Sequence, residues 1–112
     1  MPSAYLTIAR ISGEPGELLT GYRRSAATMS EVGRDHGLLL HVAAPADDGL
    51  VIVNLWPSRE ASEDAARDPR RQRVAADQRL DLREVRRDHY DVANWHPGAT
   101  GDDAFTRSVR WS

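Results

Sequence analysis

The 112 residues suffice for one domain with a modest core, and a domain of this size gains stability from self-association. The net charge of −2 gives no positive field for nucleic acid, and no apolar run approaches the roughly 20 residues that span a bilayer. The chain contains neither Cys nor Lys, which excludes disulfides, thiolate chemistry and Schiff-base lysines. Residues 1–5 do not resemble a signal peptide, so we expect a cytoplasmic protein that binds neither nucleic acid nor membranes.

A strand and an amphipathic helix are predicted first. Residues 5–11 alternate between two faces, and the Gly- and Pro-containing segment 12–16 ends that strand. Pro15 suits a first helical turn, and Gly37 offers a left-handed stop. Between them, apolar side chains recur at helical spacing at Leu18, Tyr22, Ala26, Met29 and Val32.

Two further strands are predicted to form a hairpin. Residues 38–44 make the second strand, and residues 50–56 make a third that is rich in β-branched side chains. The turn between them, residues 45–49, ends in an Asp-Gly pair, which favours a tight connection. We therefore expect these strands to be antiparallel neighbours.

A broken helix and a fourth strand complete the domain. Ser58 can cap a helix over residues 59–67, and Asp68 with Pro69 restarts the helix toward residue 79. The fourth strand is predicted over residues 84–95.

Basic residues cluster in the second helix between Arg67 and Arg73. Asp68 interrupts the cluster and acidic residues flank it on both sides. We interpret the cluster as a solvated helix face rather than an anion-binding site.

The order β-α-β-β-α-β is that of the ferredoxin-like α+β fold, in which helices cover one face of a four-stranded antiparallel sheet. With this order, residues 47–53 (DDGLVIV) leading into residues 56–60 (WPSRE) resemble the dimeric α/β-barrel superfamily, in particular its antibiotic-biosynthesis-monooxygenase-like domains. The resemblance implies a homodimer in which two sheets close one barrel, and a pocket between each sheet and its own helices. Its members include cofactor-free oxygenases of polyphenolic polyketides, haem-degrading enzymes and polyketide cyclases, so the fold narrows function poorly.

The resemblance covers the domain that we assign to residues 1–96. Residues 97–112 form a C-terminal extension in which Phe105, Val109 and Trp111 fall on alternate positions. An exposed Trp buries little surface, so we expect this extension to dock on the partner subunit. Dimeric polyketide cyclases also carry a tail beyond the fourth strand.

Metal and haem sites are not expected. The four His residues lack metal-ligand spacings. Haem-degrading members of the superfamily place their iron-binding His in the region of the second helix, whereas residues 58–80 here contain no His. We therefore predict no cofactor.

The apolar positions of the second helix are small, which leaves space above the sheet. Either this helix packs close to the sheet or the space is a ligand pocket. The positions concerned are Ala61, Ala65, Ala66, Val74 and Ala75.

Asn54 and Trp56 share one face of the third strand, because strand side chains alternate between faces. A buried Asn needs hydrogen-bond partners, which neighbouring groups or a substrate can supply. In a cofactor-free oxygenase, this pair can hold a substrate phenolate and stabilise charge as dioxygen is reduced. Trp56 can also be an ordinary core residue.

His41 is the candidate general base, unless it is a satisfied structural His. His36 either points into the pocket mouth or complements the first helix's C-terminus. His89 and Tyr90 lie on opposite faces of strand four, so only one of them can face the pocket. With Tyr22 on the first helix, these residues are the candidate substrate-binding groups: His36, Tyr22, His89 and Tyr90.

We expect a homodimeric, cofactor-free monooxygenase that acts on an aromatic or polyketide-type molecule, with Asn54, Trp56 and His41 as catalytic residues. A cyclase or isomerase using acid/base chemistry, or a non-catalytic small-molecule-binding domain, are the alternatives.

Overall fold

The computed structural model describes residues 4–80 and 84–97. Within them, four strands form one antiparallel sheet in the order β2-β3-β1-β4, and three helices cover one of its faces. The predicted α+β ferredoxin-like arrangement is therefore confirmed. The elements, in chain order, are β1 (Ala4–Ser12), α1 (Pro15–Asp35), β2 (Leu40–Ala46), β3 (Gly49–Trp56), α2 (Arg59–Ala66), α3 (Pro69–Asp77) and β4 (Arg86–Val92).

The C-terminal cap of α1 delays the start of β2 by two residues relative to the prediction. Gly37 adopts a φ of 78°, and its N–H donates to the carbonyl of Arg34. The N–H of Leu38 donates to the carbonyl of Gly33 at 2.8 Å. These two hydrogen bonds form a Schellman motif at the end of the helix. Leu38 therefore belongs to the helix cap and not to the strand.

The hairpin between β2 and β3 is tighter than predicted. Ala46 pairs with Gly49, so only Asp47 and Asp48 form the turn. Pro45 lies inside β2, which is possible because β2 is an edge strand and a missing N–H can face outward. Gly49 is required here because a Cβ atom at this position would collide with the carbonyl oxygen of Ile11 on β1.

The break in the second helix is confirmed, and both halves begin with a side-chain cap. The hydroxyl of Ser58 accepts from the N–H of Ala61 at 3.0 Å at the start of α2. Asp68 accepts from the N–H of Arg70 at 2.9 Å at the start of α3, with Pro69 at the first helical position.

Strand β4 is shorter than the predicted span of residues 84–95. Its pairing with β1 runs from Ala4 opposite Val92 to Arg10 opposite Arg86. This pairing defines the strand, and the described residues 84–85 and 93–95 of the predicted span lie outside it. The predicted docking of the C-terminal extension lies outside the described residues.

The sheet face without helices in the described part of the chain is apolar on β2 and β3 and has an ion pair between Arg10 and Asp88 toward β4. Val53 lies between Ile8 and Val42 on this face, and all three positions are at least partly exposed. Leu40, Val42 and Tyr90 on the same face are 53%, 45% and 52% exposed. Separately, none of the described helices is long and apolar enough to span a bilayer.

Candidate functional site

A cavity of about 560 Å³ lies between the sheet and its helices. Side chains of α2 and α3 form its roof, and several of them are the small residues identified in the sequence, namely Ala65, Ala66, Val74 and Ala75. The space above the sheet is therefore a pocket, and the second helix does not close it by packing against the sheet. Its volume is within the range typical of sites for small organic molecules.

The register of the sheet assembles a polar row on the floor of the cavity. Asn54 of β3 lies opposite His41 of β2 and opposite Thr7 of β1. Thr7 in turn lies opposite His89 of β4. All four side chains line the cavity, so the row crosses the whole sheet, roughly 14 Å at a strand spacing of about 4.8 Å.

Three residues of the cavity form a continuous hydrogen-bonded chain. The Nδ1 atom of His41 is 2.6 Å from Oδ1 of Asn54, and its Nε2 atom is 2.6 Å from the hydroxyl oxygen of Tyr22 on α1. The Tyr22 and His41 rings are nearly parallel, at an interplanar angle of 7°. We call the three residues the Tyr22–His41–Asn54 relay.

The partners fix the proton positions in this relay. The amide oxygen of Asn54 can only accept, so Nδ1 of a neutral His41 carries the proton and donates it. Nε2 then has the lone pair and accepts from the hydroxyl of Tyr22. The result is an imidazole whose basic nitrogen faces the Tyr22 hydroxyl, with its other nitrogen held by an amide.

Trp56 supplies a hydrogen-bond donor without a partner. It lines the cavity and packs with Tyr5, Val32 and Ala65 in the core, where it is only 6% exposed. Its indole N–H is buried and donates to no group in the described part of the chain. An unpaired buried donor of this kind costs about 1–3 kcal/mol, and an acceptor atom on a bound molecule would remove that cost.

Two of the predicted site residues lie elsewhere. His36 is not part of the cavity lining; its Nε2 is 2.9 Å from Oδ2 of Asp68, which joins the end of α1 to the start of α3. Tyr90 lies on the sheet face without helices, opposite Leu6, and is half-exposed. The structure therefore does not bring these two predicted residues to the cavity, and strand four presents His89 to it instead.

The structure adds cavity residues that the sequence did not indicate. Thr7 joins the polar row only through the strand register, which no local pattern encodes.

Arg71 of α3 and Arg87 of β4 also line the cavity. Arg71 corrects the interpretation of its cluster, because it is half-buried whereas Arg67 and Arg73 are exposed. Arg87 precedes His89 by two residues, so strand alternation would have identified it once the face was known.

The second-helix region contributes no His to the cavity. From α2, α3 and the C-cap residue Gln78, the described lining contributes Ser, Ala, Val, Arg and Gln side chains. The His and Tyr side chains of the lining, His41, His89 and Tyr22, come from the sheet and from α1. The described residues contain no group of three or more His or acidic side chains that could hold a metal ion.

Comparison with known proteins supports the fold of this chain but does not establish its activity. No family model matches the sequence, and no curated protein is significantly similar to it. Solved structures do match. SnoaB, a cofactor-independent oxygenase from Streptomyces nogalater, aligns with a TM-score of 0.57 at 18% identity over 87% of this chain and 97% of SnoaB.

Two further structures broaden the comparison. A Chloroflexus aurantiacus protein assigned to the antibiotic biosynthesis monooxygenases aligns with a TM-score of 0.59 at 20% identity, over 84% of this chain and 97% of that one. The haem-degrading protein Rv3592 from Mycobacterium tuberculosis aligns with a TM-score of 0.61 at 18% identity, over 88% of this chain and 100% of that one. This chain therefore has the fold of the antibiotic-biosynthesis-monooxygenase-like domains, as the resemblance implied.

Proposed function

We propose that this chain, which has the fold of the antibiotic-biosynthesis-monooxygenase-like domains, is a cofactor-independent monooxygenase that acts on an aromatic or polyketide-type molecule. The observation that carries the proposal is the Tyr22–His41–Asn54 relay, which opens into an otherwise largely apolar cavity. The similarity in fold to SnoaB supports it, because that protein is a cofactor-independent oxygenase.

The relay accounts for the first step, removal of a proton from the substrate. A phenolic hydroxyl that hydrogen-bonds to Tyr22 or replaces its hydroxyl at Nε2 of His41 can pass its proton to that nitrogen. Asn54 then stabilises the resulting imidazolium through the bond from Nδ1. His41 is exposed on the edge strand β2, so the proton can leave to water.

The substrate anion is itself the reductant for dioxygen. In an anthrone, for example, a ring CH₂ becomes C=O, one oxygen atom enters the product, and the other leaves as water with the two ring hydrogens. No external reductant is needed. The unpaired indole N–H of Trp56 is a suitable donor to a developing oxyanion, because a fixed donor in a dry site stabilises charge strongly.

A polyketide cyclase or isomerase is the second candidate. The relay supports a cyclase or isomerase as well as it supports a monooxygenase, because proton transfer by His41 needs no oxygen. A non-catalytic binding domain would need the cavity but not the relay.

Turnover with and without oxygen distinguishes these candidates. We expect purified, metal-stripped protein to consume oxygen in step with product from a panel of hydroquinones and anthrones. Asn54→Ala should lower turnover about 100-fold with the fold intact, because the imidazolium loses its acceptor. Asn94→Ala, at an exposed position outside the cavity lining, is the matched control. Product formed equally well without oxygen would favour the cyclase, and binding without turnover would favour the binding domain.

We further propose that the protein is a homodimer that pairs through the helix-free face of the sheet. That face presents an apolar patch around Val53 and Ile8, next to the ion pair of Arg10 and Asp88. The apolar side chains Leu40, Val42 and Tyr90 on it are about half exposed. Large apolar patches on monomers are uncommon. A second copy of the same sheet would cover the patch.

A further inference from the structure

The polar row on the cavity floor continues beyond the relay toward β4. Thr7 of β1 lies directly opposite Asn54 of β3 on one side and directly opposite His89 of β4 on the other. Side chains directly opposite each other on antiparallel strands have Cβ atoms about 4.5–5.5 Å apart. All three side chains line the cavity, so they form one contiguous polar strip from the middle of the floor to its β4 edge.

The strip has hydrogen-bonding groups that the protein itself does not use. Asn54 accepts from His41 through its Oδ1 atom, but its amide N–H groups have no acceptor among the residues that the structure describes. Within the same residues, the hydroxyl of Thr7 and both ring nitrogens of His89 also have no hydrogen-bond partner. The strip can therefore bind a group that enters the cavity.

The surroundings of the strip favour a ligand oxygen atom as that group. Thr7 and Asn54 are half-buried, whereas His89 is exposed at the sheet edge, where its ring lies 5.8 Å from that of Tyr5. The free atoms of Thr7 and Asn54 are open to the cavity, because the indole N–H of Trp56 is the unpaired atom that is fully buried among the described side chains. A hydroxyl and a neutral imidazole can each donate or accept, so a hydroxyl or carbonyl oxygen on a ligand suits both Thr7 and His89.

The position of His89 relative to the relay sets the distance between two such ligand oxygens. His41 and His89 lie on the two outer strands, roughly 14 Å apart at a strand spacing of about 4.8 Å. Strand side chains stand roughly perpendicular to the sheet, so their ends keep a similar separation. A hydrogen bond of about 2.8 Å at each end leaves roughly 8 Å between the ligand oxygens. This is close to the separation of the two hydroxyl oxygens in 2,6-dihydroxynaphthalene.

We propose that Thr7 and His89 form a subsite that binds a second oxygen substituent of the substrate, at the end of the ring system remote from the reacting hydroxyl. This inference rests on the proposed function, because it takes the relay as the site of reaction. Ala9 and Ile52 line the floor beside the strip and provide an apolar surface for the rings. The substrate class is therefore a planar aromatic molecule with oxygen substituents at opposite ends, and Thr7 and His89 determine its orientation.

Binding of two matched probes tests this subsite. The probes are 2,6-dihydroxynaphthalene and 2-naphthol, which share one ring system and differ by a single hydroxyl. Isothermal titration calorimetry under nitrogen, which prevents oxidation of the probes, should give a dissociation constant about tenfold lower for the diol, the size expected for one hydrogen bond. This preference exceeds the statistical gain from the two equivalent ends of the diol. Thr7→Val and His89→Phe should each remove most of the preference and leave the affinity for 2-naphthol unchanged.

Thr20→Val and His96→Phe are the control variants, because they make the same two changes at exposed positions outside the cavity lining. Both should keep the full preference for the diol. Equal affinity of the wild-type protein for the two probes, or no binding of either, would overturn the subsite. A full preference that survives in both Thr7→Val and His89→Phe would also overturn it.

The subsite and the proposed activity can fail independently. Oxygen uptake on hydroquinones and anthrones tests the activity without reference to the second oxygen substituent. A protein that prefers the diol but consumes no oxygen with any of them would refute the monooxygenase and leave the subsite in place. A protein that consumes oxygen but binds both naphthalene probes equally would refute only the subsite.

Discussion

At the scale of single residues, the environment of His41 determines its chemistry. A His on an exposed edge strand has no fixed tautomer in water, because either ring nitrogen can carry the proton. Here Asn54 accepts from Nδ1, and this leaves the basic Nε2 facing Tyr22. The two interpretations of Asn54, a hydrogen-bonded structural residue and a catalytic one, are therefore compatible, since its hydrogen bond orients His41, the proposed base.

The charge of Asp68 has a structural role, because it connects the end of α1 to the start of α3. Its carboxylate accepts from the side chain and the backbone N–H of Arg70 and lies 2.9 Å from Nε2 of His36. Hydrogen bonds from Arg70, and then from His36, hold the pKa of Asp68 well below its ordinary value. Arg70 also reaches Asp35 at 2.9 Å, so the cluster ties the end of α1 to the start of α3.

This cluster predicts a stability that depends on pH. Because the pKa of Asp68 is lowered by folding, its contribution is fully present above its unfolded pKa of about 3.9 and is lost as the pH falls toward the folded pKa. Asp68→Asn, which keeps an oxygen for the helix cap, should therefore lower the urea midpoint at pH 7. The difference from the wild type should shrink below about pH 4. A difference that stays constant from pH 7 to pH 2.5 would show that the charge of Asp68 does not matter.

At the scale of elements, local patterns predicted most of the fold. The stripe from Leu18 to Val32 identified α1, and the Ser58 and Asp68 caps identified the break between α2 and α3. These features depend on residues close in the sequence, so one chain is enough to recognise them. The errors lay at element ends, where tertiary pairing decides, as with the shortened β4.

The candidate site was only partly predictable for the same reason. Asn54 and Trp56 lie on one strand face, which alternation predicts. Thr7 enters the polar row only because β1 pairs in one particular register with β3 and β4. Arg71 was assigned to solvent with its whole cluster, because acidic residues interrupt and flank that cluster. Only the packing of α3 against the cavity distinguishes the half-buried Arg71 from the exposed Arg73.

At the scale of the whole molecule, one face of the sheet is used by the cavity and the other is left without helices. The helix-covered face holds the polar row, and the opposite face holds a mainly apolar surface with Val53 near its centre. A single copy of the described chain therefore leaves this surface in water. The proposed pairing of two sheets would bury it and would form the barrel that the resemblance implies.

Multi-angle light scattering at micromolar concentration tests this pairing. We expect twice the monomer mass for the wild type, and a shift to monomer for Val53→Glu, because a charge at the centre of an apolar interface cannot be solvated. Ala76→Glu, which adds the same charge at an exposed position of α3, should remain dimeric. A monomeric wild type would contradict the dimer, whereas the cavity and the relay lie on the other face and do not depend on it.

A pair of His variants tests whether the Tyr22–His41–Asn54 relay is an active site. His41→Gln and His96→Gln make the same change, but His96 is exposed and bonded only to the carbonyl of its neighbour Pro97 among the described residues. Oxygen uptake on the most active hydroquinone or anthrone should fall at least about 100-fold in His41→Gln and stay unchanged in His96→Gln. If both folded variants are as active as the wild type, His41 is not part of an active site.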